Sequence, residues 1–224
     1  MTSVTVDHEP PVRHVRLDSG PRNVLGIGDV EALAAALAPE RTAPVVVLEG
    51  REDGFCAGLD TAVLTAGGSE REALLSAMGE LLLTVLEGPT RVVAVCRGHA
   101  VAAGAMLLLV ADVRLGCPGP YKVGFTEPAL GMPLPELPAL LARMRLDRRR
   151  VHELTALGRV LGPDEACAAG FLDDVVNGAD LASVAVERAG PLAALTDAAY
   201  TGSVSSVWRP ELIRLREIMA ARRG

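Results

Sequence analysis

Aromatic residues are scarce, at 3% of the 224-residue chain, while half of the residues are apolar and 22% are charged. That balance is the composition of an ordinary globular protein. A basic surplus is also missing. The formal net charge of -6 argues against non-specific nucleic-acid binding, which needs cations to neutralise phosphates. Long apolar runs are absent too. The most apolar stretch, Ala100 to Ala111, is flanked by Arg97, His99 and Asp112. It falls well short of the roughly 20 residues of a membrane span, so it reads as a buried helix and no span is expected. Met1 to Glu9 has no apolar run behind a basic segment, so no secretory signal is read there. The four cysteines, Cys56, Cys96, Cys117 and Cys167, are widely spaced without a C-x-x-C pair. They give no disulfide or metal framework and predict a reducing, cytoplasmic setting. His8, His14 and His152 show no metal spacing, no G-x-S-x-G elbow occurs, and Gly26-Ile27-Gly28 lacks the third glycine of a dinucleotide loop. Metal, hydrolase and dehydrogenase readings therefore find no support.

The chain has the length of one large domain and no internal repeat. Short β-type runs alternate with helical patterns, which implies an α/β fold. Strands are expected at Val12 to Leu17, Val45 to Leu48, Val92 to Val95 and Val113 to Gly116. Helices are expected at Asp29 to Leu37, Glu70 to Leu86 (stopped by Gly88-Pro89), Gly104 to Ala111 and Asp164 to Ala169. Pro133, Pro135 and Pro138 break the chain before a helical region at Leu140 to Arg143. The tail is helical from Pro191, with a break at Arg209-Pro210.

Three segments carry chemistry. Gly54-Phe55-Cys56-Ala57-Gly58-Leu59-Asp60 follows a strand, and its glycines let a ligand approach the backbone and leave N–H groups free to donate. A tight turn with Gly58 in an unusual conformation explains the same pattern without a ligand. Gly98-His99-Ala100-Val101-Ala102-Ala103-Gly104 also follows a strand and opens a helix, where free N–H groups meet the positive end of the helix dipole. Close helix–sheet packing through alanine and glycine is the alternative. Gly124 to Pro133 holds Glu127 among apolar residues and sharp turns. A desolvated carboxylate there is a candidate base, and a surface-loop glutamate is the alternative.

In this order and spacing, the three segments resemble the enoyl-CoA hydratase/isomerase (crotonase) superfamily from about Val12 to Val176. Asn23 with the following helix, Ala111-Asp112-Val113-Arg114 and Gly170-Phe171-Leu172 fall where that family's features do. The resemblance implies a crotonase (ClpP-like) spiral of ββα units, with two roughly perpendicular sheets flanked by helices. Residues 1–190 would form the core and residues 191–224 a C-terminal helical segment. It assigns oxyanion-hole N–H groups to Leu59 and Ala103 and a catalytic carboxylate to Glu127. It sets the Ala57 backbone against the adenine end of coenzyme A, with Gly58, Gly104, Met106 and Phe125 against the substrate. The implied substrate is an acyl-CoA, with coenzyme A present only as part of it, no metal or redox cofactor, and assembly as a homotrimer or hexamer.

The sequence departs from the family's hydratases at one place. They use two glutamates, and the first position is Met106 here. A single glutamate at the second position resembles the Δ3,Δ2-enoyl-CoA isomerase branch, with Met106, Leu107 and Phe125 as an apolar wall. Other crotonase chemistry, such as hydration or decarboxylation of an acyl thioester, stays open. So does a non-catalytic acyl-CoA-binding partner subunit. Glu136 is a candidate second acid, or part of a plain turn. His99 is expected to pack or hydrogen-bond nearby backbone, and Asp60 to fix its own turn. The run of Arg143, Arg145, Arg148, Arg149 and Arg150 reads as a solvated helix face, with coenzyme A phosphates or a neighbouring subunit as alternative contacts.

Overall fold

Strands that are apolar on both faces belong in the middle of a parallel sheet covered by helices, and the runs around Val45 and Val92 lie there. The computed structural model describes residues 3–223, so residues 1, 2 and 224 of the two expected segments lie outside the described residues. The chain opens with β1 (Val4–Glu9), β2 (Val12–Leu17), β3 (Val24–Leu25) and α1 (Ile27–Leu37). It continues through β4 (Val45–Glu49), β5 (Gly54–Cys56), β6 (Gly58–Leu59), α2 (Thr61–Ala66) and α3 (Gly68–Glu87). Next come β7 (Arg91–Cys96), β8 (His99–Val101), α4 (Ala103–Val110), β9 (Val113–Gly116) and β10 (Val123–Gly124). A 3-10 turn (Pro128–Leu130), α5 (Glu136–Arg145), α6 (Val151–Thr155), α7 (Pro163–Ala169), β11 (Asp174–Val175), α8 (Leu181–Ala193) and α9 (Asp197–Arg223) complete it.

The main sheet has the order β1-β2-β4-β7-β9-β11. Its first pair is antiparallel and the rest are parallel. After a main-sheet strand the chain makes a short strand outside that sheet, then a helix, then returns: β4-β5-β6-α3, then β7-β8-α4. This is the expected ββα spiral. The second layer is divided, with β10-β8-β5 as one small sheet and β3-β6 as another. The chain passes from one to the other at Ala57-Gly58, where Gly58 has φ +106°.

Several boundaries differ from the sequence reading for identifiable reasons. Pro138 lies inside α5, in the first turn, where its missing N–H has no intrahelical partner to lose. The segment read as a turn from Gly98 to Ala103 contains β8. Pro191 sits near the end of α8 rather than opening a helix. The expected break at Arg209-Pro210 appears as a kink at Trp208, whose φ of -113° and ψ of 18° leave the helical region. Leu212, Leu215, Ile218 and Met219 of α9 join the same buried cluster as the sheet strands. Gly79 of α3 admits them closely, since a Cβ there would stand 2.2 Å from the Met219 sulfur.

Polar ties fasten the periphery. Arg91, fully buried on β7, donates to the carbonyls of Pro89 (2.8 Å) and Leu195 (2.6 Å) and to Asp197 (2.6 Å). The Tyr200 ring lies 5.0 Å from its guanidinium, and the Tyr200 hydroxyl donates to Asp112 (2.7 Å), which also accepts from the Val92 N–H (2.8 Å). Burial pushes the Asp112 carboxyl above its ordinary range. The arginine run is not one solvated face. Arg143, Arg148 and Arg149 are exposed, whereas Arg145 turns inward to the carbonyls of Leu109 (3.0 Å) and Ala111 (3.1 Å) at the end of α4, where a cation meets the negative end of the helix dipole.

Arg114 on β9 ties the segments around Asp112 and Phe171 together. Its main-chain N–H and Nε both reach Asp173 (2.8 and 3.0 Å), a second guanidinium nitrogen bonds the other carboxylate oxygen, and Nη1 donates to the Gly170 carbonyl (2.7 Å). Lysine has no planar fork to reproduce this set. Arg114→Lys is expected to lower stability by about 1–3 kcal/mol, read as a lower urea midpoint with an unchanged slope. No helix of the described residues is long and apolar enough to cross a membrane.

Candidate functional site

Two backbone segments and one carboxylate make up the candidate site. The first segment is β5-β6, and it is knitted to its surroundings by Asn23. This residue is fully buried and has φ +47°, a conformation that asparagine tolerates better than most side chains. Its amide nitrogen donates to the carbonyls of Leu17 (2.9 Å), Gly54 (3.1 Å) and Phe55 (3.1 Å), and its Oδ1 accepts from the Ser19 N–H (2.9 Å). The Ala57 N–H donates to the carbonyls of Arg22 (3.0 Å) and Asn23 (3.3 Å), and the Asp60 N–H to that of Leu25 (2.9 Å). Asp60 then accepts the Ala62 N–H (2.8 Å) and caps α2, the local role expected of it.

The second segment is the entry to α4. Ala102, just before the helix, holds φ +52° and ψ -115°. An alanine in so sparsely populated a region stores about 1–3 kcal/mol of strain, and such strain gathers where backbone must be aimed. The Ala102 N–H donates to the Gly124 carbonyl (3.0 Å), and its own carbonyl accepts from the Met106 N–H (3.2 Å). Ala103 is the first helical residue, so its N–H has no place in the helix ladder.

Glycines bring the two segments together. A Cβ on Gly58 would stand 3.1 Å from the Ala102 Cβ and 3.9 Å from the Ala103 nitrogen, so the backbone carrying Leu59 lies against the one carrying Ala103. A Cβ on Gly104 would meet the Cys56 carbonyl oxygen at 2.1 Å. Close helix–sheet packing, one of the readings of these glycines, is therefore present at Gly104.

The carboxylate is attached through β10. Val123 pairs with Ala100 and Gly124 with Val101, and three residues beyond Gly124 the chain turns at Glu127. The Glu127 carbonyl accepts from the N–H groups of Leu130 (3.1 Å) and Met132 (3.0 Å), which fixes the loop. Its Oε2 is buried without a hydrogen-bond partner. Burial pushes the carboxyl above its ordinary range, against the opposing pull of main-chain hydrogen bonds at Thr126 and Glu127 itself. A carboxylate oxygen left unpaired in the interior is costly, and a carboxyl perturbed by burial in this way is a candidate for function.

Other sequence candidates fall elsewhere. Met106 and Leu107 are buried on α4 behind Ala103. Phe125 is fully buried, edge-on to Phe171 at 5.8 Å between ring centres, which makes it a core residue beneath the loop rather than a surface offered to a ligand. Glu136 is exposed in the first turn of α5 and bonds Arg214 of α9 (2.7 Å), so its carboxylate serves a tie between helices. His99 is exposed and its Nδ1 accepts the Lys122 N–H (3.2 Å), which steadies β10. The holding role of Asn23 and the strain at Ala102 escaped the sequence reading. An asparagine just after Gly20-Pro21 is a turn signal, but the reach of its amide to Leu17 and Phe55 is tertiary.

Comparisons with known proteins agree with the fold. A sequence model described as enoyl-CoA hydratase/isomerase matches residues 11–218. A probable enoyl-CoA hydratase of Mycobacterium avium is 32% identical over 205 residues, covering 87% of this chain and 76% of that protein. The fatty acid oxidation complex subunit alpha of Shewanella frigidimarina is 34% identical over 154 residues, covering 65% of this chain and only 21% of that much longer protein. The apo structure of an enoyl-CoA isomerase of Mycobacterium tuberculosis superposes with a TM-score of 0.92 at 28% identity, over 99% of this chain and 97% of that one.

Proposed function

This chain belongs to the enoyl-CoA hydratase/isomerase family, whose model it matches over residues 11–218, and on that premise we propose that it shifts a double bond in an unsaturated acyl-CoA by proton transfer. The thioester carbonyl accepts from the N–H groups of Leu59 and Ala103. Glu127 removes a proton from the α-carbon of a 3-enoyl thioester, and the electron pair moves onto the carbonyl oxygen to give a dienolate. The oxyanion is held by donors that need little reorganisation as charge develops. The same carboxyl then returns the proton to the γ-carbon, and the dienolate collapses to the 2-enoyl thioester.

One observation carries this reading: Glu127 has a buried, unpartnered carboxylate oxygen, while the position of the hydratases' other glutamate holds Met106, which can neither give nor take a proton. Two-carboxylate hydration lacks its second group, and Glu136, the other candidate acid, is engaged with Arg214. The similar proteins carry both names, hydratase and isomerase, so the choice between them rests on these residues. Incubating the protein separately with 3-enoyl, 2-enoyl and malonyl-type thioesters tests it. The 2-enoyl product should form from the first substrate, and the other two should be turned over far more slowly. Fast appearance of a 3-hydroxyacyl product, or loss of carbon dioxide, would overturn it. A homotrimer or hexamer belongs to the same family reading, and sedimentation of the purified chain checks it.

The pH dependence has a defined sign. Glu127 acts as a base only when ionised, and burial raises its pKa. The value of kcat/KM should therefore climb with pH, through an inflection above that of an ordinary glutamate, as the free enzyme loses this proton. A profile already flat at the ordinary carboxylate range would remove Glu127 from the role.

A further inference from the structure

Resting on the proposed role of the Leu59 N–H, we infer that Asn23 is a positioning residue that sets this donor in the oxyanion hole. A glycine would satisfy the positive φ of +47° at this point of the chain. What glycine lacks is an amide that reaches three carbonyls at once. Leu17 ends β2 of the main sheet, and Gly54 and Phe55 open β5. One buried amide therefore fixes the start of the donor-bearing segment against a rigid strand. Two residues of β3 follow immediately and fix its end, with Val24 paired to Gly58 and Leu25 to Leu59.

The segment from Gly54 to Leu59 is thus held along its whole length by residues 22–25, with Asn23 as the anchor from which β3 sets out. Without the amide, Gly54 and Phe55 lose their link to Leu17, and Gly58 can drift from its close approach to Ala102 and Ala103. A shift of about 1 Å in a group aimed at the reacting atoms can cost on the order of 100-fold in rate. Because the donor strengthens its hold as charge develops on the carbonyl, the loss falls on kcat rather than on KM.

The test uses Asn23→Gly, which keeps the backbone conformation and deletes only the amide. A second variant, Asn23→Asp, can still accept the Ser19 N–H but turns a carboxylate oxygen towards the three carbonyls. The expected result is a fall in kcat of about 10- to 100-fold with KM within about twofold. A spectroscopic readout separates positioning from mere loss of stability: 2,4-hexadienoyl-CoA, whose conjugated carbonyl absorbs further to the red when N–H donors polarise it. Bound to the native protein or to Glu127→Gln it should shift to the red, and bound to either Asn23 variant it should lose most of that shift.

If the native protein itself shows no shift, the donor reading of Leu59 and Ala103 fails and takes this inference with it. If the native protein shifts and a folded Asn23 variant retains both the full shift and the native kcat, the inference alone is overturned. Should Asn23→Gly fail to fold, Asn23→Asp carries the same two readouts.

Discussion

Glu127→Gln is expected to lower turnover by about 100- to 10,000-fold, leave acyl-CoA binding intact and raise the unfolding midpoint at neutral pH. The two effects share a cause. In the native fold the carboxyl is pushed above its ordinary pKa by burial, whereas in the unfolded chain it is solvated. A group whose folded pKa lies above its unfolded value contributes stability below the unfolded pKa, and loses that contribution as pH rises through the folded one. Once ionised, the side chain carries a buried oxygen without a hydrogen-bond partner. Glutamine has the same shape, no charge and no basicity. Melting curves from pH 4 to 8 should show the variant gaining on the native protein as pH rises, while the 3-enoyl-CoA assay shows the loss of rate. Retained turnover would end the proposed mechanism; lost turnover with a lowered midpoint would point to misfolding instead.

Gly104→Ala should produce the second-largest effect, with a sign opposite to the usual one. In a helix, glycine to alanine normally stabilises by about 0.5–1 kcal/mol. Here the new methyl would stand 2.1 Å from the Cys56 carbonyl oxygen and 2.9 Å from its carbon. Both are main-chain atoms, so no side chain can swing aside. Separating α4 from β5 would relieve the clash at a cost of about 1–3 kcal/mol, and that separation also parts Ala103 from Leu59. A lower urea midpoint and a lower kcat in the folded fraction are expected together. Gly28→Ala on α1 is the contrasting case. Nothing lies within 4 Å of its Cβ position, so this substitution should follow the ordinary rule and stabilise.

The parts of the fold legible in the sequence are those whose chemistry is local. Val45 to Leu48 and Val92 to Val95 are apolar on both faces and could only be central strands. By contrast β1 is exposed along almost all its length, and α2 buries no residue, so neither leaves a hydrophobic pattern to read. β3, β6, β10 and β11 span two residues each, too few for any periodicity.

At the site, the spacing of Leu59, Ala103 and Glu127 came from a family resemblance, and the backbone approach of Gly58 to Ala103 supplies a physical basis for pairing the first two. Phe125 and Glu136 read differently once folded, because their partners, Phe171 and Arg214, lie far along the chain. The inward turn of Arg145 was hidden for the same reason. Five arginines within eight positions look like a solvated face until the end of α4 claims one of them.

The kink in α9 has an optical consequence. Trp208 is the chain's one tryptophan, and its ring centre lies 5.8 Å from the Arg145 guanidinium, which in turn grips the carbonyl end of α4. Its emission therefore needs no label and competes with only two tyrosines. Departure of α9 from this seat would move the indole into water and redden its fluorescence. The helix that opens at Ala103 and the helix that closes the chain can thus be followed with a single intrinsic dye, in the same cuvette as a thioester titration.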